Sequence, residues 1–227
     1  MWTLQDADKF WKGESDALKR ARIAAREQRM LGSKLSAHSM MLSAYISVAS
    51  KSPIRSGLLG LWHALWLLHN WRLLNHNELD VLISFLVRLA KSKYLPSIVS
   101  QRKLHNMAWR ELDLCREEQA KPHQYALGYI TLAEVSSLAR LCSEFDITMA
   151  ISNALSYEKA VREEPDQPQG LRQLVRIFRK AGELYKKIDS PVKGKEYLYK
   201  ALQLASAEAD APDQAHKIAK LLEKLYS

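Results

Sequence analysis

The run at residues 58–74, LLGLWHALWLLHNWRLL, is the feature that most constrains how this chain can fold. On a helical wheel it carries apolar side chains on nearly every side, which indicates a helix buried by several neighbours. A membrane span is the alternative reading, and it needs about 20 mostly apolar residues. Four polar residues interrupt the run: His63, His69, Asn70 and Arg72. We therefore predict a buried central helix at 58–74 and no membrane span.

The composition of the chain favours helices throughout. Only 8 Gly and 7 Pro occur in 227 residues, so the turn-rich pattern of a sheet protein is absent from the sequence. Val and Ile are sparse beside Leu and Ala, which are better helix formers. We predict an all-α fold of roughly eight to ten helices, with an N-terminal helical bundle part.

The cysteines and the first residues indicate the cellular compartment in which the chain is expected. Cys115 and Cys142 are far apart and belong to no CxxC spacing, so neither a zinc cluster nor a disulfide framework is indicated. The first residues are acidic and lack the apolar core of a secretory signal. A reducing, cytoplasmic environment is therefore expected, and no cofactor is predicted.

Positive charge is concentrated toward the N-terminus. The net charge is +9, and residues 1–56 contain ten Lys and Arg against five Asp and Glu. A helix predicted from residue 15 to about residue 30 carries one basic stripe, formed by Lys19, Arg22, Arg26 and Arg29. Such a stripe is either a solvated face or a contact for an anionic partner, including nucleic acid phosphates.

Residues 178–205 carry spacings typical of one particular helical hairpin. Large and small residues recur along it at fixed distances: Phe178, Gly182, Tyr185, Gly194 and Ala201. These positions resemble the landmarks of a tetratricopeptide repeat, a 34-residue unit of two antiparallel helices. The resemblance covers about residues 171–226 and implies a stack of hairpins with a binding groove.

Helix-breaking and helix-capping residues divide the rest of the chain into helices and linkers. Ser190-Pro191 predicts the start of the second helix of this hairpin, and Asp146 is expected to cap a helix that runs to about residue 160. The segment 163–168, EEPDQP, reads as a linker. We predict three parts, which can also form one continuous domain: basic helices at 1–56, a central part at 57–164, and the repeat-like hairpin with a capping helix at 165–227.

The tetratricopeptide resemblance implies where a partner would bind. In that family the first helix of each hairpin usually lines the groove, and the matching positions here are Arg176, Arg179, Glu183 and Lys186. Three basic residues in four favour an acidic peptide or a chain terminus. Family members that hold a terminal carboxylate use Asn where this chain has Glu183, which argues against the same ligand.

Tryptophans admit two readings. Trp62, Trp66 and Trp71 are expected to fill the core, as aromatic residues often do in helical proteins. Trp2, Trp11 and Trp109 lie near basic residues in the sequence, as stacking platforms for single-stranded nucleic acid would. For Trp2 and Trp11 an exposed or interface role stays open.

Motifs that carry catalysis are missing from the sequence. It contains no HExxH, P-loop, GxSxG or dinucleotide fingerprint. We therefore expect a noncatalytic adaptor or assembly subunit that binds a protein partner, of acidic character, on the repeat-like groove. The alternative is a nucleic-acid-binding subunit of a ribonucleoprotein or DNA-processing complex that uses the basic stripe.

Overall fold

The computed structural model describes residues 16–48, 53–91, 99–139, 142–207 and 211–226. Within these ranges the chain forms eleven α-helices and one short 3₁₀ turn, Trp71–Leu73, and no strand. The predicted all-α class is therefore confirmed. The helices are α1 Asp16–Met30, α2 Lys34–Val48, α3 Pro53–His69, α4 His76–Lys91, α5 Gln101–Glu117, α6 Pro122–Ala139, α7 Glu144–Ser156, α8 Glu158–Arg162, α9 Gln167–Lys187, α10 Pro191–Ala207 and α11 Pro212–Tyr226.

Contacts divide the chain into two compact units, residues 1–98 and residues 99–227. The first unit contains α1 to α4, and the second contains α5 to α11. Residue 57, where a part boundary was predicted, lies inside α3. The division into three parts stays a prediction.

In the first unit α2 is the central helix, because it packs against α1, α3 and α4. The helix predicted at 58–74, buried by several neighbours, is only partly buried and ends at His69. Helix α3 buries Ala64 and Leu67 but leaves Trp62 53% and Leu65 47% exposed. It packs mainly against α2 and α4, and two neighbours cover only part of a helix. The apolar side chains of α3 that neither neighbour covers therefore lie on the surface.

The turn between α1 and α2 is set by one glycine. Gly32 has a φ of +83°, in the left-handed region that glycine enters at no steric cost. Its N–H donates to the carbonyl of Arg29, and the N–H of Ser33 donates to that of Gln28. These two bonds form a Schellman motif, which ends α1 and reverses the chain. The helix predicted to end at about residue 30 thus ends at Met30 with a glycine C-cap.

A buried carboxylate fixes the start of α4. The Asn75 side chain accepts from the N–H of Glu78 at 3.0 Å, and Oε2 of Glu78 accepts from the N–H of Asn75 at 3.1 Å. The other carboxylate oxygen accepts from the hydroxyl of Ser36 on α2 at 2.7 Å. The box satisfies the first N–H groups of the helix, and the third bond attaches that end of α4 to α2.

The second unit is a succession of neighbouring helix pairs. Helix α6 packs against α5, α7 and α9, while α9 packs against α10 and α10 against α11. Each hairpin therefore covers the apolar face of the next one, which is how helical repeats bury a continuous core. This arrangement is compatible with a helical repeat.

The hairpin of α9 and α10 is tightly packed at its landmarks. A Cβ placed on Gly182 would lie 2.6 Å from Cγ of Leu198 and 2.8 Å from the carbonyl oxygen of Gly194. Phe178 and Ala201 are buried on the same contact. Small residues at 182 and 194 thus let the two helices approach closely, and α10 begins at Pro191 as predicted.

The start of α7 differs from the prediction. Its N-cap is Ser143, whose hydroxyl accepts from the N–H of Asp146, while the Asp146 carboxylate accepts from the N–H of Ser143. Asp146 is therefore the third residue of a capping box and not the cap itself. The helix also ends at Ser156, and a turn at Tyr157 separates it from the short α8.

The segment 163–168 is anchored to α6 through Glu164. Its Oε1 accepts from the backbone N–H of His123 at 2.8 Å, and its Oε2 lies 2.6 Å from Nδ1 of the same residue. Both side chains are buried. A carboxylate at the N-terminus of α6 also lies favourably in the field of the helix dipole. The breaker-rich segment thus fixes the spacing between α6 and α9.

Candidate partner-binding surface

The four residues predicted to bind a partner lie half-buried on α9. The Nε of Arg179 is buried and lies 3.5 Å from Oε1 of Glu183, an ion-pair distance without a hydrogen bond. Lys186 donates through Nζ to the carbonyl oxygen of Leu225 on α11. Arg176 also has an interaction partner within the chain. These cations therefore hold the local structure as well as contributing charge.

Even so, α9 presents a strongly cationic stripe. The helix contains six basic residues and one carboxylate, that of Glu183. One of the six, Lys180, is neutralised in a buried pair with Glu134 of α6 at 2.6 Å. The other five are at least partly exposed: Arg172, Arg176, Arg179, Lys186 and Lys187. We call these five residues together with Glu183 the α9 stripe. Its excess of positive charge favours an anionic ligand.

The Lys180–Glu134 pair was not foreseen from the sequence. The side chains are 13% and 9% exposed, and they join α9 to α6. A signal was available, since Glu134 is the one carboxylate in the α6 sequence PHQYALGYITLAEVSSLA. A lone acid in a helix of this kind needs a partner if it is buried. Nothing in the sequence indicated that Lys180 was that partner.

Beside the α9 stripe, two tyrosines and two lysines form a row of stacking and cation–π contacts between α9 and α10. Tyr185 and Tyr197 stack with ring centroids 5.5 Å apart and planes inclined by 14°. Lys200 lies 4.9 Å over the ring of Tyr197, and Lys193 lies 5.7 Å over that of Tyr185. Burial raises the pKa of Tyr185, so its hydroxyl stays neutral. Such cation–π contacts order long side chains on a surface.

A second aromatic group lies where α7 ends. Tyr125 of α6 stacks on Tyr157 with centroids 5.6 Å apart and planes inclined by 2°, and Tyr129 lies on the same ring at 6.2 Å. Burial is the main reason why the pKa of Tyr157 is raised. The stack fills the corner at which the chain passes from α7 to α8, so its evident role is packing.

In the first unit, the predicted basic stripe on α1 divides into two pairs. Lys19 and Arg26 are exposed, whereas Arg22 and Arg29 are half-buried. The neighbouring face of the helix packs on α2, with Leu18 2% and Ala25 5% exposed. Trp2 and Trp11, the proposed stacking residues, lie outside the described residues.

Two buried histidines contact each other between α2 and α3. The Nδ1 atoms of His38 and His63 are 3.0 Å apart, so one imidazole donates a hydrogen bond to the other. Trp66 stacks on His38 at 4.2 Å, and Trp62 lies beside it at 5.1 Å. Trp62 was expected in the core, but half of it is exposed and forms the outer wall of this cluster.

Burial is the main control on the protonation of this histidine pair. Burial and, to a smaller extent, the positive charge of Arg29 lower the pKa of His38 to about 4. Burial, then the charge of His38 and then that of Arg29 lower the pKa of His63 to about 3. Each imidazole is therefore neutral near pH 7, as a shared hydrogen bond requires. Arg29, the last member of the basic stripe, thus acts on the interior of the unit as well as on solvent.

A shallow groove of about 480 Å³ lies among α1, α2 and α4. Its wall is made mainly of small and apolar side chains: Ala21, Ala24, Ser39, Met40, Ser43, Ala44, Asn77 and Val81. The groove has no polar group whose geometry indicates a particular ligand.

No protein family, no curated protein and no solved structure matches this chain. In the part of the chain that the structure describes, no three His, Cys, Asp or Glu side chains are grouped so that they could hold a metal ion. Nor does any described helix combine the length and the apolar character that crossing a membrane requires.

Proposed function

We propose that this chain is a noncatalytic adaptor or assembly subunit that binds an acidic partner protein along α9, in a tetratricopeptide-like hairpin formed by α9 and α10. The observation that carries the proposal is the α9 stripe, in which five cations and one carboxylate lie on the partly exposed side of a helix. The other side of α9 is occupied by packing against α6 and α10.

Tight packing supports this proposal because it keeps the stripe in a fixed position. Gly182 brings α10 against α9, and the Lys180–Glu134 pair ties α9 to α6. A preorganised surface loses less conformational entropy when a partner binds. The ion pair between Arg179 and Glu183 then provides a local contact that an acidic partner would have to replace. That exchange favours partners with several carboxylates over a single charged residue.

A charge-reversal variant tests the proposal most directly. Arg176→Glu with Arg179→Glu reverses two central cations of the stripe. Lys186 is left unchanged, because it donates to the Leu225 carbonyl and its loss would disturb α11. The tagged full chain is used for affinity purification from its native host with nuclease treatment, and captured proteins are identified by mass spectrometry. We expect the variant to lose specific partners.

The matched control carries the same change of charge on another exposed surface. Lys217→Glu with Lys220→Glu alters two exposed lysines of α11 and should leave the captured proteins unchanged. Thermal melting of both variants checks the fold. Identical sets of partners for the wild type and the Arg176/Arg179 variant would reject the α9 stripe as the binding surface.

Nucleic acid binding through α1 is the second candidate. It is favoured by the exposure of Lys19 and Arg26 on one helix with Arg22 between them. Phosphate contacts release counterions, so the affinity for a fluorescent RNA or DNA oligonucleotide should fall steeply with salt. Lys19→Gln with Arg26→Gln should weaken binding and flatten this dependence. No binding at low salt, or binding with a flat salt response, excludes the candidate.

A further inference from the structure

The second unit contains a thiol and an imidazole in contact on its surface. Sγ of Cys142 lies 3.4 Å from Nε2 of His105, within hydrogen-bonding distance for sulfur. Both side chains are partly exposed. They come from different elements, since His105 belongs to α5 and Cys142 lies in the connection just before the N-cap of α7. The fold therefore brings together two residues separated by 37 positions.

An aromatic ring lies beside this pair. Trp109, one turn after His105, lies edge-on to the imidazole with centroids 6.4 Å apart and is itself 50% exposed. This contact restricts the orientation of the imidazole. His105 has its Nε2 toward the thiol, so this nitrogen is placed to accept the thiol proton.

Charged groups on the two flanking elements have opposing effects on a thiolate. The acidic side chains in the first turn of α7, Glu144 and Asp146, disfavour a negative charge at Cys142. The N-terminus of α7 and the exposed Arg102 on α5 favour it. Since these effects oppose each other, proton transfer to His105 is the step that decides whether the sulfur can react.

We propose that Cys142 is a modification site for low-molecular-mass disulfides such as oxidised glutathione, with His105 as its base. The thiol proton passes to Nε2 of His105, and the sulfur attacks one sulfur of the disulfide. The disulfide bond breaks as the bond to Cys142 forms. The leaving thiolate then takes the proton from the imidazolium, so that one mixed disulfide and one free thiol result.

A disulfide suits this site because its reaction with a thiol includes two proton transfers, and the imidazole of His105 can carry out both. The first transfer generates the attacking thiolate, and the second protonates the leaving thiolate. No external oxidant is needed, since the disulfide itself is the electron acceptor. This site is independent of the α9 stripe, and its test does not depend on a binding partner.

The chain supplies its own internal reference in Cys115. This thiol is 1% exposed within the core of α5, where a disulfide cannot approach it. Incubation of the native full chain with oxidised glutathione, followed by peptide mapping, should therefore find the adduct on Cys142 and not on Cys115. Modification of both thiols at equal rates would overturn the proposal.

The variant His105→Gln tests the role of the imidazole. Gln keeps a polar side chain but cannot accept a proton, so modification near pH 7 should slow by at least about tenfold. The difference should shrink at pH values above about 8.5, where a free thiol ionises without a base. His216→Gln, which removes an exposed imidazole from α11, should react like the wild type.

A third variant distinguishes an effect of charge from a loss of the folded structure. Glu144→Gln removes an exposed negative charge close to Cys142 in the sequence and should accelerate modification of Cys142 alone, whereas a loss of the folded structure would also expose Cys115 to the disulfide. Thermal melting of each variant confirms that the second unit is intact. If His105→Gln is folded and reacts as fast as the wild type over the whole pH range, His105 is not the base and the proposal fails.

Discussion

Lys180 of α9 and Glu134 of α6 form an ion pair, with Nζ and Oε2 2.6 Å apart, at the contact between two neighbouring hairpins. Both side chains are largely buried and have lost most of their hydration. Each charge is therefore stabilised mainly by the other. The pair therefore sets the lateral position of α9 on α6. It also removes one cation from the surface, so the α9 stripe contains five of the six basic residues of the helix.

Removing one partner of this pair should destabilise the second unit strongly. Lys180→Met leaves the Glu134 carboxylate buried without its cation, and we expect the free energy of unfolding to fall by roughly 3 kcal/mol. Urea denaturation followed by circular dichroism measures the change. The double variant Lys180→Met with Glu134→Leu should recover most of the loss, because it leaves no buried charge. A single variant as stable as the wild type would contradict this account.

An exposed pair provides the control for the ion-pair experiment. Lys159 and Glu163 are 3.9 Å apart, and their side chains are 88% and 66% exposed. Solvent screens such a pair, and its removal is expected to change the free energy of unfolding by less than about 1 kcal/mol. Lys159→Met should therefore unfold at nearly the same urea concentration as the wild type.

Close contact at Gly182 makes this position intolerant of any side chain. Gly182→Ala should raise helix propensity, yet we expect it to destabilise the chain by roughly 1–3 kcal/mol through overpacking. The added Cβ meets Cγ of Leu198 at 2.6 Å and the backbone oxygen of Gly194 at 2.8 Å. Thermal melting measures the effect. Leu198→Ala in the same chain should not restore stability, because the backbone contact remains.

The periodicity of the sequence was sufficient to predict the helices, because amphipathic spacing is a local property. In α5 the apolar residues at helical spacing, including Leu104, Met107 and Cys115, are buried. The helix at 58–74 was misjudged, since the number of neighbours around a helix depends on tertiary packing. Trp62 and Leu65 are apolar residues that α2 and α4 do not cover.

The contacts around the candidate site could not be predicted from the sequence. The resemblance to a tetratricopeptide repeat implied that Arg176, Arg179 and Lys186 share one helix, but it did not indicate their partners. Lys186 donates to the Leu225 carbonyl 39 residues away, and no local rule indicates that contact. The pairs His38–His63 and His105–Cys142 likewise join residues from separate helices or turns, so sequence spacing alone could not reveal them.

Stability of the first unit should decrease in acid because of the histidine pair. The pKa values of His38 and His63, about 4 and about 3, lie below the ordinary 6.5. Below pH 6.5 the unfolded chain therefore binds more protons than the folded chain. Their contribution is fully present above pH 6.5 and is lost as the pH falls toward 4 and 3, by up to about 1.4 kcal/mol per pH unit for each histidine.

Tryptophan fluorescence during urea denaturation at several pH values between 7.5 and 5 can measure this loss, because Trp66 stacks on His38. The variant His38→Gln with His63→Leu contains neither imidazole and should show a shallower dependence on pH. Arg29→Gln should move the onset of the loss less than the double variant does, since burial is the larger cause of both shifts. Equal slopes in the wild type and the double variant would show that the pair does not titrate on unfolding.

A glycine at position 119 should stabilise the second unit. Gln119 has a φ of 50°, and the N–H of the next residue, Ala120, donates to the carbonyl of Cys115 at 2.9 Å to close α5. A side chain in this left-handed region costs about 1–2 kcal/mol that glycine avoids, although glycine also has more entropy in the unfolded chain. We therefore expect Gln119→Gly to increase the free energy of unfolding by about 1 kcal/mol and to raise the Tm. Gln119→Ala retains the Cβ and should give no such gain.

Asp189 holds the equivalent position after α9 with a φ of 53°, and Asp tolerates this region better than Gln. Asp189→Gly should accordingly gain less than Gln119→Gly, and a larger gain at 189 would show that strain in the left-handed turn is not what the substitution relieves.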